Sequence, residues 1–235
     1  MSVHIRKRLA FALLAALTFA ASGAPAQAAD APRPSIERGG DWRSALQKFV
    51  KTNMKHPAWG YSHSERDYAL AKELAAADGV TLDDDVLFAA AYLHDVAAFA
   101  PFRTSDDHQD VAADLVPSLL EGTGFPMGKI EAVRAAIRTH MYVRDPKGPE
   151  AIYLHDADAL DWLGAVGVAR IFGIVDPAGG SPDGPGAAKR LADSIESVPP
   201  RIVSPAGKAR IEPRVRELRD FLSQLRAETG DLKHL

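Results

Sequence analysis

Hydrophobic residues recur at intervals of three and four along most of the chain, which is the spacing of an amphipathic helix. One example begins near Asp41, where Trp42 and Leu46 share a face. It is predicted to end before His56, because the residue before a proline disfavours helix. Further helices are predicted at 62–77, 81–95, 110–120, 129–139, 150–172, 187–195 and 211–227. No run alternates between polar and apolar long enough to predict a strand, so the sequence predicts an all-α fold.

Polar and small residues set the predicted boundaries of these helices. Thr81 is the predicted N-cap of the third helix, and the acidic residues at 83–85 are expected to stabilise the positive, N-terminal end of its dipole. Gly164 and Gly167 lie within the predicted helix 150–172 and indicate close packing of its backbone. Residues 97–107 are predicted to form a loop over the mouth of a site. Residues 176–186, rich in Gly and Pro, are predicted to form a second loop.

The first residues are typical of a secretory signal peptide. Basic residues at 6–8 precede an apolar stretch at 9–21, and Ala26-Gln27-Ala28 fits a cleavage site. We therefore expect residues 1–28 to be a signal peptide and 29–40 a flexible leader. The protein is expected to be exported, to the periplasm or beyond the cell, with no membrane association after cleavage.

Composition narrows the classes of function. Residues 1–28 hold three basic residues and no acidic one, so their removal changes the net charge from −3 to −6. That balance argues against a nucleic-acid-binding surface. The chain has no cysteine, which excludes disulfides, thiolate ligands and cysteine nucleophiles. The remaining length suits one domain, predicted as a core at 41–175 with the helices of 176–235 packed on it.

The dipeptide His94-Asp95 is the most informative chemical feature. It follows the apolar run 87–93, so an imidazole and a carboxylate come at the end of a segment predicted to be buried. Burying these groups is costly unless a partner satisfies them. A divalent metal ion is a natural partner.

Other ligand-type residues follow an order that resembles a known family. His63 precedes the dipeptide, and His108, His140 and Asp158 follow it. The segments 61–66, 90–95, 154–161 and 164–170 carry the resemblance, which covers about 59–172. The chain resembles the HD-domain metal-dependent phosphohydrolases, and in particular one uncharacterised bacterial branch. This resemblance implies an HD-domain-like bundle of about six to nine helices around a metal site.

The resemblance implies a set of metal ligands. These are His63, His94, Asp95 and Asp158. Asp156 and Asp161 compete with Asp158 on composition alone and otherwise orient ligands through hydrogen bonds. His108 and His140 are either ligands of a second ion or pocket residues. Mixed nitrogen and oxygen donors suit Mn, Fe, Co, Ni, Zn or Mg, and the nitrogen share argues against a pure Mg or Ca site.

The implied reaction is hydrolysis of a small phosphorylated substrate, a monoester or a diester, with a nucleotide among the candidates. Arg66 lies three residues after His63 and therefore on the same helix face. Its guanidinium is expected to orient the phosphate, or else to form a salt bridge. His140 or His108 is expected to protonate the leaving oxygen. Asp95 completes the predicted catalytic set.

Two departures from the family pattern leave alternatives open. Residues 96–100 offer no acid after the dipeptide, and Ala159 stands where the related branch usually has a basic residue. A metal-containing protein that binds a small anion without hydrolysing it is therefore one alternative. A di-iron site for oxygen-dependent chemistry is another. The sequence leaves the metal, the number of ions, the natural substrate and the oligomeric state open.

Overall fold

The computed structural model describes residues 33–176, 179–181 and 183–235. The predicted signal peptide at 1–28 therefore lies outside the described residues. Residues 33–40, the described part of the predicted leader, contain no helix. Within the described ranges, no helix is both long enough and apolar enough to cross a bilayer.

Helices dominate the described chain, which confirms the all-α prediction. The α-helices are α1 (Trp42–Asn53), α2 (Tyr61–Ala77), α3 (Asp84–Leu93), α4 (His108–Leu120), α5 (Ile130–Arg138), α6 (Pro149–Leu160), α7 (Gly164–Gly173), α8 (Gly184–Ser197), α9 (Pro205–Ala209) and α10 (Ile211–Glu228). Short 3-10 turns occur at Val96–Ala98, Met127–Lys129 and Pro199–Arg201. Strands β1 (Val175–Asp176) and β2 (Gly179–Gly180) form a two-residue antiparallel pair in the predicted Gly/Pro-rich loop.

Side-chain caps fix the starts of the first helices. The Asp41 carboxylate accepts hydrogen bonds from the backbone N–H groups of Arg43 and Ser44 and so begins α1. The N-cap of α3 is Asp83, whose carboxylate accepts from two backbone N–H groups. The prediction of Thr81 as this cap is therefore wrong. The helix starts two residues later than predicted, and Asp83 satisfies the free N–H groups of Asp85 and Val86 in its first turn.

The predicted helix 150–172 is two helices, α6 and α7, separated by a turn at 161–163. Gly164 begins α7 with φ +69°, a conformation that favours glycine. A Cβ there would lie 2.8 Å from Glu217 Oε2, and one at Gly167 would lie 2.3 Å from the carbonyl oxygen of Trp162. The two glycines therefore permit the turn and the close packing. The sequence signal was correct, but the inference of a continuous helix was wrong.

Helix α3 lies at the centre of the core, and all its residues from Val86 to Leu93 are buried. It packs against α1, α2, α5 and α6, and α2 also packs against α6. Helix α10 packs on α7 and α8, while α9 contacts α2 and α6. The helices of the C-terminal quarter thus share the packing of the central bundle. The end of α3, where the His-Asp dipeptide lies, is held in the middle of this bundle.

Candidate metal centre

The predicted ligands come from five places in the bundle. His63 lies in the first turn of α2, and His94 and Asp95 follow the last residue of α3. His108 begins α4, His140 lies just beyond α5, and Asp158 is in α6. All but His108 are buried. His108 is partly exposed and lines a small cavity with residues of the 97–107 loop.

Side-chain atoms of the four predicted core ligands converge. His63 Nε2 lies 3.2 Å from His94 Nε2 and 3.3 Å from Asp158 Oδ1. Asp95 Oδ2 lies 3.2 Å from His94 Nε2 and 3.6 Å from His63 Nε2. The residues predicted from separate segments therefore meet at one buried point.

The Nδ1 hydrogen bonds of three histidines turn the opposite ring nitrogen, Nε2, toward the cluster. His94 Nδ1 donates to the carbonyl oxygen of Ala91 at 2.9 Å, and His140 Nδ1 donates to that of Ile137 at 2.6 Å. His63 Nδ1 donates to Asp161 at 2.8 Å. A neutral imidazole that donates through Nδ1 carries its lone pair on Nε2. In the neutral form that metal ligation requires, the Nε2 lone pairs of His63 and His94 therefore face the core ligands, and that of His140 faces Asp95.

A second group of residues lies on the side of Asp95 that faces the mouth. Asp95 Oδ1 is 3.3 Å from His108 Nε2 and 3.7 Å from His140 Nε2. His94, Asp95 and His140 offer ligand atoms within 4.8 Å of one another. The geometry accordingly places the two additional histidines beside the core ligands, where the resemblance implies a second ion or a catalytic pocket.

Asp161 orients the site through hydrogen bonds, one of the two roles predicted for it. Its carboxylate accepts from His63 and also from Arg66, whose Nε and Nη2 lie 3.1 and 2.7 Å from its oxygens. The Arg66 side chain is about one-third exposed. The structure thus shows Arg66 in the salt-bridge alternative, and Asp161 rather than a surface residue is its partner. Asp156 lies away from the cluster and accepts from the backbone N–H groups of Val203 and Ser204.

Arg170 is a buried cation beside the ligands that the sequence did not single out. Its side chain is 2% exposed, and its guanidinium stacks 3.8 Å from the ring of Trp162. Nη1 lies 3.2 Å from Asp161 Oδ2, and Nη2 lies 3.3 Å from His63 Nε2. The guanidinium thus offsets part of the negative charge of the carboxylates. The sequence did not indicate this role, because Arg170 reaches the site only through the turn between α6 and α7.

Asp67 is the second residue that was missed. It lies four residues after His63 on α2, on the same helix face, and is fully buried. Asp67 Oδ2 is 3.2 Å from His63 Nε2 and 3.8 Å from His94 Nε2. With Asp158, these residues form a set of four ligand atoms within 4.8 Å of one another. The spacing from His63 was a usable signal in the sequence.

The ionisable groups of the cluster have pKa values that are shifted from their usual values in different directions. Burial raises the pKa of Asp67 well above its usual value, and the carboxylates of Asp161 and Asp158 raise it further. Burial also opposes the charge of Asp95, but His94 and His108 outweigh it and the pKa falls well below its usual value. Burial and the neighbouring His94 lower the pKa of His140 to about 3. His140 is therefore a neutral imidazole near pH 7.

This donor set fits a divalent ion. Both Asp67 oxygens and His140 Nε2 are buried without a hydrogen-bond partner in the described part of the chain. Buried polar groups of this kind are normally satisfied by a bond or an ion. Imidazole nitrogens and carboxylate oxygens are ligands for first-row transition metals. His63, His94, Asp95 and Asp158 would hold the ion, with Asp67 adjacent.

Comparisons with known proteins identify the family of the central domain. Residues 60–163 match the model of the HD domain family. That range contains every ligand predicted above and also Asp67 and Asp161. A search of curated proteins gave no match.

Several solved structures have a similar fold. YpgQ from Bacillus subtilis, in a structure with ADP, has a TM-score of 0.63 and 20% identity, covering 79% of this chain and 97% of that one. A predicted HD superfamily hydrolase from an uncultured Thermotogales bacterium has a TM-score of 0.56 and 26% identity, covering 80% and 91%. An HD-superfamily hydrolase from Bacillus thuringiensis has a TM-score of 0.58 and 22% identity, covering 80% and 96%. The chain therefore contains an HD domain at 60–163, within a fold that it shares with HD-superfamily hydrolases.

Proposed function

We propose that the protein is a metal-dependent hydrolase of phosphate esters. The observation that carries the proposal is the convergence of the His63 and His94 Nε2 atoms with the Asp95 and Asp158 carboxylates on one buried point, with His140 Nε2 beside Asp95. A bound divalent ion would promote hydrolysis in two ways: it would lower the pKa of a coordinated water and polarise a phosphoryl oxygen. Such a centre needs a neighbouring group to protonate the leaving oxygen.

His108 is better suited to this proton transfer than His140. The Nδ1–H of His140 donates to a backbone carbonyl, so its buried Nε2 faces the cavity without a proton. His108 is partly exposed, and its Nε2 lies 3.3 Å from Asp95 Oδ1, at the mouth of the centre. A substrate entering from solvent would meet His108 first. We therefore assign His108 as the general acid and His140 as a ligand or a lining residue.

Arg66 has a narrower role than the sequence indicated. Two of its nitrogens contact Asp161 and hold the carboxylate that orients His63. In this arrangement it supports the ligand set, and a phosphate contact would use the remaining nitrogen. We propose that its first role is to position Asp161, and that phosphate orientation is secondary.

The positive charge near the centre and its access to solvent support an anionic substrate. The guanidinium of Arg66 and a divalent ion would both attract an anion to the partly exposed side of the centre. The ADP in the YpgQ structure is a property of that protein, but it makes nucleotides a sensible part of a substrate panel. From the pattern of residues 1–28 we further propose that the enzyme acts outside the cytoplasm.

The test is turnover by purified protein supplied with Mn²⁺, assayed on phosphomonoesters, phosphodiesters and nucleotides. Asp95→Ala should abolish hydrolysis with the fold intact. His108→Gln should lower kcat by about 10²–10⁴-fold, the usual contribution of a general acid, without changing the metal content. Arg138→Gln, at a side chain of α5 that is about one-third exposed, is the matched control and should leave kcat unchanged. Tight metal binding with no turnover on any substrate would instead favour the non-hydrolytic, anion-binding alternative.

A further inference from the structure

The carboxylate of Asp67 differs from the other buried carboxylates near the centre. Asp156 accepts backbone hydrogen bonds of 2.9 and 2.7 Å, and Asp161 accepts from Arg66. Asp67 is 0% exposed, and neither of its oxygens accepts a hydrogen bond in the described part of the chain. A charged group buried in this way is expensive unless a partner compensates it.

When both imidazoles are neutral, the form in which histidine ligates a metal, the nearest polar atoms cannot serve as that partner by themselves. His63 Nε2, at 3.2 Å from Asp67 Oδ2, is an acceptor because the Nδ1–H of this ring donates to Asp161. His94 Nε2, at 3.8 Å, is an acceptor for the same reason, since its Nδ1–H donates to Ala91. An acceptor oxygen and two acceptor nitrogens at these distances repel one another. A cation among them reverses the sign of the interaction.

We propose that Asp67 is an additional ligand of the metal ion, beside His63, His94, Asp95 and Asp158. The helix supplies the geometry, because residues four apart on α2 present His63 and Asp67 to the same point. This inference rests on the metal centre of the proposed function but not on hydrolysis. It gives the centre two imidazoles and three carboxylates.

Five protein ligands also select the kind of ion. A zinc site is usually tetrahedral, with three or four protein ligands. Ions such as Mn²⁺, Fe²⁺ and Co²⁺ accept five or six ligands, and a carboxylate-rich set suits Mn²⁺ in particular. The centre should therefore favour a five- or six-coordinate ion, and removing Asp67 should shift its preference toward Zn²⁺.

The experiment compares the full chain with Asp67→Asn, which keeps the shape and removes the charge. Calorimetric titration of metal-free protein with Mn²⁺ should show a Kd raised by at least about 100-fold, since loss of an outer partner of a ligand already costs about 10–100-fold. The Tm of the metal-free variant should exceed that of the metal-free wild type, because an uncompensated charge is gone. Its gain in Tm on adding Mn²⁺ should be smaller. With Co²⁺, the visible absorption should intensify, as expected when the coordination number falls.

Asp156→Asn is the matched control, because it also neutralises a buried aspartate on the same bundle. It should lower the Tm with and without Mn²⁺ alike and leave the Kd unchanged. If Asp67→Asn does not fold, Asp67→Ala provides the same comparison. Wild-type Mn²⁺ affinity in a folded Asp67 variant would overturn the inference, even if hydrolysis were lost. Conversely, wild-type protein that binds Mn²⁺ through Asp67 but hydrolyses nothing would refute only the proposed function.

Discussion

Replacing Arg170 by Met tests whether this buried guanidinium stabilises the centre by offsetting its carboxylates. Met retains most of the apolar contact with Trp162 but removes the charge that lies 3.2 Å from Asp161 Oδ2 and 3.9 Å from Asp158 Oδ1. Removing one partner of a buried ion pair typically costs about 3–5 kcal/mol, because the other charge stays buried. For a domain of this size, about 2–4 °C of Tm corresponds to 1 kcal/mol. We therefore expect a Tm lower by roughly 6–20 °C in the metal-free protein.

A metal ion should reduce this loss, since it supplies positive charge to the same carboxylates. The measurement is urea unfolding of wild type and Arg170→Met, each with a chelator and with excess Mn²⁺. Arg138→Met is the control, because its exposed pairs with Asp110 and Asp114 should contribute only about 0–1 kcal/mol. In a double-mutant cycle with Asp161→Asn, the two changes should cost less together than the sum of the single changes. A loss below about 1 kcal/mol in the chelated protein would refute this account of Arg170.

Three further outcomes are expected. Removing the metal with a chelator should lower the Tm by about 8–16 °C relative to protein held at 1,000 times the metal Kd, a binding stabilisation of about 4 kcal/mol; an unchanged Tm would contradict a metal-linked fold. Gly164→Ala should destabilise by about 1–3 kcal/mol in urea unfolding, because the residue has φ +69° and its Cβ would meet Glu217. Although burial opposes it, hydrogen bonds from Tyr68, Arg43 and Lys72 lower the pKa of Asp84 to about 2 from a usual 3.8. The contribution of the Asp84 carboxylate to the free energy of unfolding is therefore fully present above pH 3.8 and is lost as the pH falls through 2. Since the side chain is 43% exposed, wild type should lose only about 1 kcal/mol more than Asp84→Asn between pH 5 and pH 2.

The sequence predicted the parts of the site that depend on local spacing and family order. Helices α1 and α2 begin and end within a few residues of the predicted bounds, because their apolar stripes and flanking breakers are local signals. His63, His94, Asp95 and Asp158 converge as the resemblance implied. Asp67 could also have been predicted from the sequence, because its spacing from His63 places both residues on one face of α2.

The role of Arg170 depended on tertiary structure and was not accessible from the sequence. In one straight helix from 150 to 172, Arg170 would lie about 18 Å along the axis from Asp158, at 1.5 Å per residue. The turn at 161–163 brings Arg170 back toward α6, so its Nη1 lies 3.9 Å from Asp158 Oδ1. Gly164 marked the place of the turn, but a glycine signals only that the backbone is permissive there. The direction of α7 follows from its packing against α8 and α10.

The charges around the centre bear on the number of ions, which the sequence left open. Among the described residues in contact with it are four carboxylates, from Asp67, Asp95, Asp158 and Asp161, and two guanidinium groups, from Arg66 and Arg170. With the histidines neutral, as ligation of a metal ion requires, this count leaves a charge of −2, which one divalent ion neutralises. Two ions would leave a charge of +2 in a largely buried site, which is costly without an anion to balance it. The count therefore favours one resident ion, with a second entering together with an anionic substrate beside Asp95 Oδ1 and His140 Nε2. Elemental analysis of protein without substrate should accordingly find about one ion per chain, and two ions in that state would show that this charge count is wrong.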